Sequence, residues 1–521
     1  MRFTIDGRTV EASQGETVLE AAERAGIEIP TLCFLKGYEA GASCMVCAVR
    51  LRHNGKFIPA CGSRVVDGME VENDSDAVRE ARRTALELLF SDHLGDCLSP
   101  CQRICPAHLS IPSVLRHVRD GDLGLAAGTA RRDLAMAGVL CRVCHRPCES
   151  GCRRGTHDEP VAIADLVIHA IDTEREAGAP RVPVAAEERG RKVAVVGSGF
   201  TGLSAAWSLR QNGYAVTVCE AEEELAQTIR QEYPDLSPAL VDAELEVVQR
   251  CGVEVRTGWR LGTGEELKAL QGEFEAILLA TGALDPAELV ALGLGTKGDR
   301  LMTDKDAMTT TRKAVFAAGR VVRPGGKPVA SVADGKAVAV CIHQFLEGQT
   351  VRRPPKPFSC FIGKIDDEEM EAFMQEASSH AREAPDAAEL EKAIEESHRC
   401  VQCNCPKIDT CKLRDLAIEY DINMKRFSTG ERMRFQRNVE HPLVIFEPGK
   451  CIRCGNCIKV ASEYQESLGL TFIGRGFDVH IGVPFDESMQ EGLQEAAKAV
   501  VEACPVGALA LRDPSFGGEV E

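Results

Sequence analysis

The sequence predicts a multidomain protein in which α+β domains and one α/β domain follow one another along the chain. The chain has 521 residues, too long for one ordinary domain, which indicates roughly three to five domains. Most of its 23 cysteines fall into tight groups, and one glycine-rich turn joins a buried strand to a helix. These observations predict small ligand-carrying domains arranged around one parallel strand–helix unit.

The composition argues against several function classes. The net charge of −18, the 5% aromatic content and the two Trp disfavour nucleic acid or an anionic membrane as a partner. The N-terminal residues form no apolar signal core and no run of 18 apolar residues is present, so we expect a cytoplasmic protein without a membrane span. In a reducing compartment, closely spaced cysteines favour metal centres over disulfides.

Hydrophobic patterns and cysteine groups divide the chain into six predicted segments. A β-rich domain comes first and a helical region follows. Strands then alternate with helices, and charged helices lead to the last cysteine groups. The predicted boundaries are 1–80, 81–180, 190–352, 353–399, 400–440 and 441–521.

The first cysteine group predicts a [2Fe–2S] centre. An Asp6-Gly7 turn marks a hairpin, and Cys33, Cys44, Cys47 and Cys61 follow it with the spacing C-x10-C-x2-C-x13-C. A loop with three thiolates and a distant fourth can enclose a two-iron unit, while zinc is the alternative. Residues 1–80 resemble the N-terminal domain of the large Fe–S subunit of NADH:quinone oxidoreductase, shared with some hydrogenases and formate dehydrogenases. The resemblance implies a β-grasp ferredoxin.

The second group predicts two [4Fe–4S] centres in a helical domain. Its cysteines and the sequence around Ile111-Pro112 resemble the N-terminal domain of the glutamate synthase small subunit and of dihydropyrimidine dehydrogenase. The resemblance implies one centre on Cys97, Cys101 and Cys152, and another on Cys105, Cys144 and Cys148. Cys141 is either the remaining ligand or a neighbouring core thiol. The family has a fourth cysteine in its first group, and here His93 is the candidate replacement; the alternative is that His93 is a plain surface residue.

A dinucleotide-binding fingerprint follows. The apolar strand before Gly197 leads into Gly197-Ser198-Gly199-Phe200-Thr201-Gly202, a helix continues, and the next strand ends at Glu220. Glycines at these positions let pyrophosphate approach the helix N-terminus, and an acidic residue there accepts from a ribose hydroxyl.

Three later segments favour FAD over NAD. Ala280-Thr281-Gly282, Val315 to Gly319 and the stretch around Asp334 resemble, in the correct order, FAD segments of two-dinucleotide flavoproteins. That family has a second nucleotide domain between the first two segments. Here too few residues separate Gly282 from Val315, so we expect no NAD(P)H site in this chain.

Two further departures concern the flavin. Arg320 stands where the family has an acid, so a cation would face the pyrophosphate or the reduced flavin, or would weaken binding. Residues 222–234, rich in Glu and Gln, replace the expected glycine-rich loop, and Gly293 to Gly298 is interpreted as a plain loop. The alternative is a flavin-free scaffold.

Two cysteine groups end the chain. Cys400, Cys403, Cys405 and Cys411 predict an Fe–S centre, with Zn as the alternative. Cys451, Cys454, Cys457 and the remote Cys504 predict one [4Fe–4S] centre on a ferredoxin-like scaffold. The segment 470–478 resembles Fe–S subunits of formate dehydrogenase and hydrogenase complexes. Cys219, Cys251, Cys341 and Cys360 are interpreted as ordinary core thiols.

Taken together, these motifs predict an Fe–S flavoprotein subunit with no catalytic residues for a substrate. It would hold one [2Fe–2S] centre, about three to four [4Fe–4S] centres and FAD. Its expected partners are an NADH-dehydrogenase-like flavoprotein subunit and a ferredoxin or a catalytic subunit, with flavin-based bifurcation as an extension. The alternatives are a self-sufficient NAD(P)H:acceptor oxidoreductase and a flavin-free redox scaffold.

Overall fold

A computed structural model describes residues 1–178, 180–183, 186–385, 389–428 and 430–512, and the side chain of residue 477 is outside the description. Parts of the predicted linkers and residues 513–521 of the last predicted domain therefore lie outside the described residues. The chain forms two compact units. Unit 1 comprises Met1–Leu98, Phe358–Glu376 and Cys403–Glu521, and unit 2 comprises Ser99–Pro357 and Ala377–Gln402.

The strands of the described residues are short. In chain order they are β1 (Arg2–Ile5), β2 (Arg8–Glu11), β3 (Ala48–Leu51), β4 (Phe57–Pro59), β5 (Glu70–Glu72), β6 (Lys192–Val196), β7 (Ala215–Cys219), β8 (Val253–Arg256), β9 (Ala276–Leu279), β10 (Val315–Ala317), β11 (Val444–Phe446), β12 (Thr471–Ile473), β13 (His480–Gly482) and β14 (Leu509–Leu511).

The α-helices carry most of the regular structure. They are α1 (Val18–Arg24), α2 (Asp76–Ser91), α3 (Pro100–Ile104), α4 (Ile111–Arg119), α5 (Leu123–Asp133), α6 (Ala137–Val143), α7 (Pro147–Ser150), α8 (Ile163–Glu176), α9 (Phe200–Gln211), α10 (Gln227–Glu232), α11 (Pro238–Arg250), α12 (Gly264–Glu273), α13 (Pro286–Ala291), α14 (Pro328–Leu346), α15 (Asp367–Met374), α16 (Leu390–His398), α17 (Lys412–Glu419), α18 (Asn456–Glu463), α19 (Met489–Gly492) and α20 (Ala497–Ala503).

The N-terminal part of unit 1 is a mixed sheet with one helix on it. The strand order is β2-β1-β5-β3-β4, with β1 antiparallel to β2 and parallel to β5. The predicted hairpin turn is present, and Asp6 and Gly7 both have positive φ. Helix α1 begins with a capping box in which the side chain of Thr17 accepts from the backbone N–H of Glu20. This arrangement agrees with the predicted β-grasp fold.

The C-terminal part of unit 1 is a small α+β layer. Strand β11 pairs with β14 and β12 pairs with β13, both antiparallel, while α18 packs against α20. The residues that hold this layer together are apolar and almost fully buried, among them Val460, Leu493, Val500 and Val506.

Unit 2 joins a helical region to a parallel sheet. Helices α3 to α8 pack on one another, and the sheet has the order β10-β9-β6-β7-β8 with all neighbours parallel. This is the predicted Rossmann-like layer, and the predicted multidomain α+β and α/β class is confirmed. Between Gly282 and Val315 the described chain has only the short helix α13 and no further strand. The segment Gly293 to Gly298 is irregular, as predicted.

Within the described part of the chain, one helix meets the length and composition of a membrane span, although no apolar run of that kind was expected. Helix α14 is long and apolar enough, and half of its most apolar window is buried inside the protein. It packs along α9, the helix that follows the glycine-rich turn. Its apolar character therefore matches that of a core helix.

Candidate redox centres and dinucleotide cleft

The glycine-rich turn between β6 and α9 is shaped by close backbone contacts. Gly197 has φ +106°, and a Cβ placed there would lie 2.5 Å from the carbonyl oxygen of Ala280. A Cβ on Gly202 would lie 1.9 Å from the carbonyl oxygen of Gly197. Only glycine fits at these two positions, so the turn has the backbone path that a dinucleotide fingerprint needs.

Gly199, the middle glycine of the turn, faces open space. Gly199 is the N-cap of α9 with no side-chain cap, and a Cβ there would meet no atom within 4 Å. The cleft beside it is lined by the turn, by Thr281 and Gly282 after β9, and by Glu220 after β7. Uncapped N–H groups at a helix N-terminus beside an open cradle fit a pyrophosphate. The residues present therefore fit a dinucleotide.

Glu220 faces the turn from the end of β7. One carboxylate oxygen accepts from the backbone N–H of Ser198 at 2.9 Å, and the other accepts from the N–H of Glu222 at 3.1 Å. These contacts hold the acid at the cleft, in the position from which it can accept from a ribose hydroxyl.

Arg320 lines the same cleft but has a protein partner. Its guanidinium forms a two-oxygen ion pair with Glu232, and its Nη2 lies 2.9 Å from Oε2. The hydrogen bond to the Glu232 carboxylate raises the pKa of Arg320 above its usual value. Glu232 ends α10, which lies within the predicted Glu- and Gln-rich replacement of the glycine-rich loop.

Asp334 lies elsewhere. Its buried carboxylate pairs with Arg323 and accepts from Nη2 of Arg353 at 2.8 Å, in a shallow pocket that includes Gly319 but not the glycine-rich turn. A Cβ on Gly319 would lie 2.4 Å from Oγ1 of Thr201, so this glycine lets the segment after β10 approach α9. Asp334 is therefore paired with two arginines and does not line the cleft beside the glycine-rich turn.

The four cysteines of the first group come together in unit 1. Cys33, Cys44, Cys47 and Cys61 are all buried, and the Sγ atoms of Cys47 and Cys61 are 3.4 Å apart. The thiols of Cys44 and Cys61 lower the pKa of Cys33. Four converging buried thiols are the donor set that a two-iron cluster takes.

The last group forms a second set in unit 1. Cys451 and Cys454 lie on the loop into α18, where Gly455 has positive φ, and Cys457 lies in the first turn of that helix. Cys504 follows α20. Burial raises the pKa of Cys457, and the nearby Cys451 and Cys454 raise it further. The remote fourth cysteine is thus brought to the triplet because α18 packs on α20.

The loops of these two sets touch. A Cβ on Gly41 would lie 3.6 Å from the carbonyl oxygen of Cys454, and Nζ of Lys459 donates to the carbonyl oxygen of Glu39 at 2.6 Å. Gly41 lies on the loop between Cys33 and Cys44. The two cysteine sets are therefore neighbours inside unit 1.

Unit 2 contains the cysteines of the second group from Cys101 to Cys152. Burial raises the pKa of Cys148, and Cys105 and Cys144 raise it further, while Cys141 is buried beside the same three thiols. Cys141 thus belongs to the Cys105, Cys144 and Cys148 set. Lys336 of α14 donates through Nζ to the carbonyl oxygens of Ala107 and Asp133, at 2.7 and 2.9 Å.

Other cysteines are grouped differently from their sequence spacing. Cys400 lies in unit 2, and burial raises its pKa. The nearby Cys152 raises the pKa of Cys400 further. Helix α3, which carries Cys101, packs on α7. Cys403, Cys405 and Cys411 belong to unit 1. The spacing of Cys400 to Cys411 predicted one centre, and the structure divides this group between the two units.

Cys97 also departs from the predicted grouping. The resemblance implies that Cys97 shares a centre with Cys101 and Cys152, but Cys97 lies in unit 1, where its Sγ is 3.2 Å from Sγ of Cys360. Cys405, Cys411 and His93 line the same small cavity. The isolated position of Cys360 in the sequence predicts an ordinary core thiol, and no local spacing signal connects it with Cys97.

His93 is half-buried and lines the small cavity with its ring. Its Nδ1 atom is buried and has no hydrogen-bond partner among the described residues. Burial lowers the pKa of His93 to about 4. Among the described residues, no group of His, Cys, Asp and Glu is spaced to hold a single metal ion.

Comparison with known families agrees with these domains. Four family descriptions match: "2Fe-2S iron-sulfur cluster binding domain" over residues 1–76, "Dihydropyrimidine dehydrogenase domain II, 4Fe-4S cluster" over 67–179, "FAD dependent oxidoreductase" over 192–230, and "NADH-quinone oxidoreductase subunit 3, ferredoxin-like domain" over 441–510. The predicted resemblance to Fe–S domains joined to a flavoprotein segment is confirmed.

Similar curated proteins are oxidoreductase subunits. The chain is 35% identical over 209 residues to the NADP(+)-dependent formate dehydrogenase subunit beta of Moorella thermoacetica, which is 35% of this chain and 29% of that protein. It is 32% identical over 194 residues to the NADPH-Fe(3+) oxidoreductase subunit beta of Geobacter sulfurreducens, 36% of this chain and 28% of that protein. It is 31% identical over 210 residues to the NAD-dependent dihydropyrimidine dehydrogenase subunit PreT of Escherichia coli, 40% of this chain and 48% of that protein. The matches span less than half the length of these relatives.

Proposed function

We propose that this chain is a cytoplasmic Fe–S flavoprotein subunit that relays electrons between an NADH-oxidising flavoprotein partner and a ferredoxin or another catalytic subunit. The observation that carries the proposal is the contact between the two cysteine loops of unit 1, at Gly41 and Cys454. Thiolate-bound clusters exchange single electrons, and neighbouring clusters form a path. Similar proteins named as oxidoreductase subunits support a role within a complex.

The chain's own residues supply thiolates, burial and close spacing. In unit 1, the set from Cys33 to Cys61 suits a [2Fe–2S] centre, and the set from Cys451 to Cys504 suits a [4Fe–4S] centre. In unit 2, Cys105, Cys141, Cys144 and Cys148 suit a [4Fe–4S] centre. Cys152 and Cys400, with Cys101 on the neighbouring helix, suit a further one. All 23 cysteines lie in the described residues and none is paired in a disulfide.

FAD would lie in the cleft of unit 2. The turn from Gly197 to Gly202 would hold its pyrophosphate, Glu220 its ribose, and Thr281 and Gly282 would border the cofactor. A bound flavin would supply the exchange between hydride chemistry and single-electron transfer. Lys336 on α14 donates two hydrogen bonds to the helical region, one of them to the carbonyl oxygen of Ala107, close to Cys105 in the sequence. These bonds join the flavin domain to the region that carries the Cys105 set.

The test starts from anaerobically purified full-length protein. We expect one FAD released per chain on denaturation and about 14 to 18 iron atoms, from one two-iron and three to four four-iron centres. We expect NADH or NADPH alone to leave the flavin oxidised, and dithionite to bleach the visible absorbance. Rapid bleaching by NAD(P)H would favour the self-sufficient oxidoreductase, and absence of FAD would favour the redox scaffold.

The partner is tested separately by affinity purification of the tagged chain under anaerobic conditions. Mass spectrometry should identify a copurifying flavoprotein or catalytic oxidoreductase subunit. Adding that subunit with NADH should then bleach the chain's Fe–S absorbance. A tagged chain that purifies alone, and that no NADH-oxidising protein reduces, would contradict the proposed relay.

A further inference from the structure

We propose that Cys97, Cys360, Cys405 and Cys411 together bind a [4Fe–4S] cluster in unit 1, beside the buried cation of Lys450. The four thiols line one cavity and are each only 6% or 7% exposed. They come from three separate segments of the chain. The site deepens the relay proposed above by adding a centre on residues that no matched family segment joins.

Backbone hydrogen bonds hold the three segments together at this point. The N–H of Cys97 donates to the carbonyl oxygen of Cys360 at 3.3 Å, and the N–H of Cys405 donates to the carbonyl oxygen of Cys97 at 3.2 Å. Ser359 accepts through its Oγ from the N–H of Leu98 at 3.1 Å. The backbone of Cys97 is therefore held between the backbones of Cys360 and Cys405.

The fourth thiol is fixed by the same layer. The N–H of Lys412 donates to the carbonyl oxygen of Pro505 at 3.1 Å, which anchors the chain just after Cys411. Nε of Arg414 donates to the carbonyl oxygen of Phe358 at 3.3 Å, so the segment before Cys360 is held as well. A cluster site needs thiols on rigid supports, and these bonds provide them.

Two glycines keep the cavity open to the sulfur atoms. A Cβ on Gly507 would lie 2.2 Å from Sγ of Cys405, and a Cβ on Gly95 would lie 2.6 Å from Cε of Lys450. Any larger residue at either position would displace a thiol or the lysine. The space around the thiols therefore depends on these two positions.

Charge in the cavity favours an anionic occupant. Four thiolates outweigh the positive charge of a four-iron core, so the cluster would be a buried anion that needs compensation. Lys450 lines the cavity with its side chain 3% exposed, and Lys450 and Arg437 share the single carboxylate of Glu447. The buried cation of Lys450 therefore lies on the wall of the same cavity as the four thiols.

The neighbouring centre makes the site useful to a relay. Gly507, which contacts Cys405, follows Cys504 by three residues, and Nζ of Lys407 donates to the carbonyl oxygen of Cys504 at 2.7 Å. The proposed cluster would thus adjoin the Cys451 to Cys504 set, which touches the two-iron loop on its other side. The order in unit 1 would be the two-iron centre, the C-terminal centre and then this one.

The decisive variant is Cys360→Ala, with Cys341→Ala as its matched control, a fully buried thiol of unit 2. In anaerobic protein, we expect Cys360→Ala to lower iron from about 18 to about 14 atoms per chain, while Cys341→Ala keeps all of it. The EPR signal of the two-iron centre serves as the folding reference. Full iron in Cys360→Ala, or two fewer free thiols in denatured iron-free protein because Cys97 and Cys360 are bridged, would overturn the proposal.

A second variant covers a folding failure. If Cys360→Ala loses the two-iron signal as well, Cys360→Ser is used, because a hydroxyl at the same position retains the packing. We expect it to shift the midpoint potential of one four-iron signal and leave the two-iron potential unchanged. If all midpoint potentials are unchanged in Cys360→Ser, the thiolate assignment is overturned. It is also overturned if His93→Ala loses the cluster while Cys360→Ser retains the cluster at its original potential. The relay itself would survive either result, since its own test is reduction by a partner.

Discussion

Arg320 and Glu232 form an ion pair at the border of the dinucleotide cleft, with both carboxylate oxygens engaged. The pair joins the segment after β10 to the end of α10, and both residues line the cleft. A cation at this position adds positive charge where a pyrophosphate would lie, while its carboxylate partner restricts how much of that charge a phosphate would experience.

We therefore expect opposite effects from the two members of the pair. Arg320→Gln should weaken FAD binding by about 1.5–3 kcal/mol, the range for a hydrogen bond to a charged group, which is roughly tenfold or more in Kd. Glu232→Gln should leave FAD binding equal or tighter, because the guanidinium is then free to turn to phosphate. FAD titration of deflavinated protein measures both. The control is Lys268→Gln on the exposed face of α12, and stronger FAD binding by Arg320→Gln would contradict the role.

Two glycines of the turn should separate folding from binding. Gly199→Ala should fold normally, because its Cβ meets no atom within 4 Å, yet it should lose FAD because the methyl group occupies the phosphate cradle. Gly202→Ala should destabilise the domain by about 1–3 kcal/mol, since its Cβ would overlap the carbonyl oxygen of Gly197. Thermal unfolding and FAD content measure the two effects. Equal FAD content in wild type and Gly199→Ala would argue against the cradle.

The contact between the cysteine loops can be tested at Cys454. We expect Cys454→Ala to lose about four iron atoms and to keep the two-iron EPR signal, because the two sets have separate ligands. Reduction of the remaining four-iron centres by NADH and the copurified partner should slow at least about tenfold, or 1.4 kcal/mol in the barrier. Cys219→Ala, a buried thiol outside the cysteine sets, is the control. Unchanged reduction rates would show that electrons bypass this centre.

Glu369 should stabilise the segment that carries Cys360. Its buried carboxylate pairs with Arg432 and accepts from the N–H of Phe435 at 2.7 Å, and Arg432 lowers the pKa of Glu369 to about 2. A carboxyl pKa below its unfolded value contributes stability above about pH 4.5 that is lost as the pH falls toward 2. Glu369→Gln should therefore cost about 1–3 kcal/mol at pH 7.

The pH dependence supplies the check. The difference in thermal stability between wild type and Glu369→Gln should be constant from pH 7 to about pH 5 and should shrink at lower pH. Glu371→Gln, on the same helix, is the control. A difference that grows as the pH falls would contradict the assigned pKa shift.

Local motifs let the sequence predict the dinucleotide turn. Gly197, Gly202 and Glu220 lie within a short strand–helix–strand stretch, so their contacts depend on backbone geometry that the sequence encodes locally. The two ferredoxin-like cysteine sets were predicted for the same reason, apart from the remote Cys504. The ferredoxin-like scaffold indicated Cys504 as the remote fourth ligand, and the packing of α18 on α20 brings it to the triplet.

The grouping of the other cysteines could not be read from spacing. Cys97 and Cys360 are separated by 263 positions, and packing of three segments brings them together. Cys400 and Cys405 are close in sequence but belong to different units, because the boundary between the units falls just after Gln402. Spacing predicts that thiols share a site only when the chain between them stays in one domain.

The discontinuity of unit 1 has a consequence for biosynthesis. Its N-terminal segment ends at Leu98, and its other segments begin at Phe358 and Cys403. A ribosome must therefore deliver most of the polypeptide before Cys97 meets Cys360, Cys405 and Cys411, whereas Cys33 to Cys61 are available early. Maturation of the holoprotein would then be ordered in time, and the cell's cluster-delivery machinery would have to act on a nascent two-iron domain first and on the finished chain last.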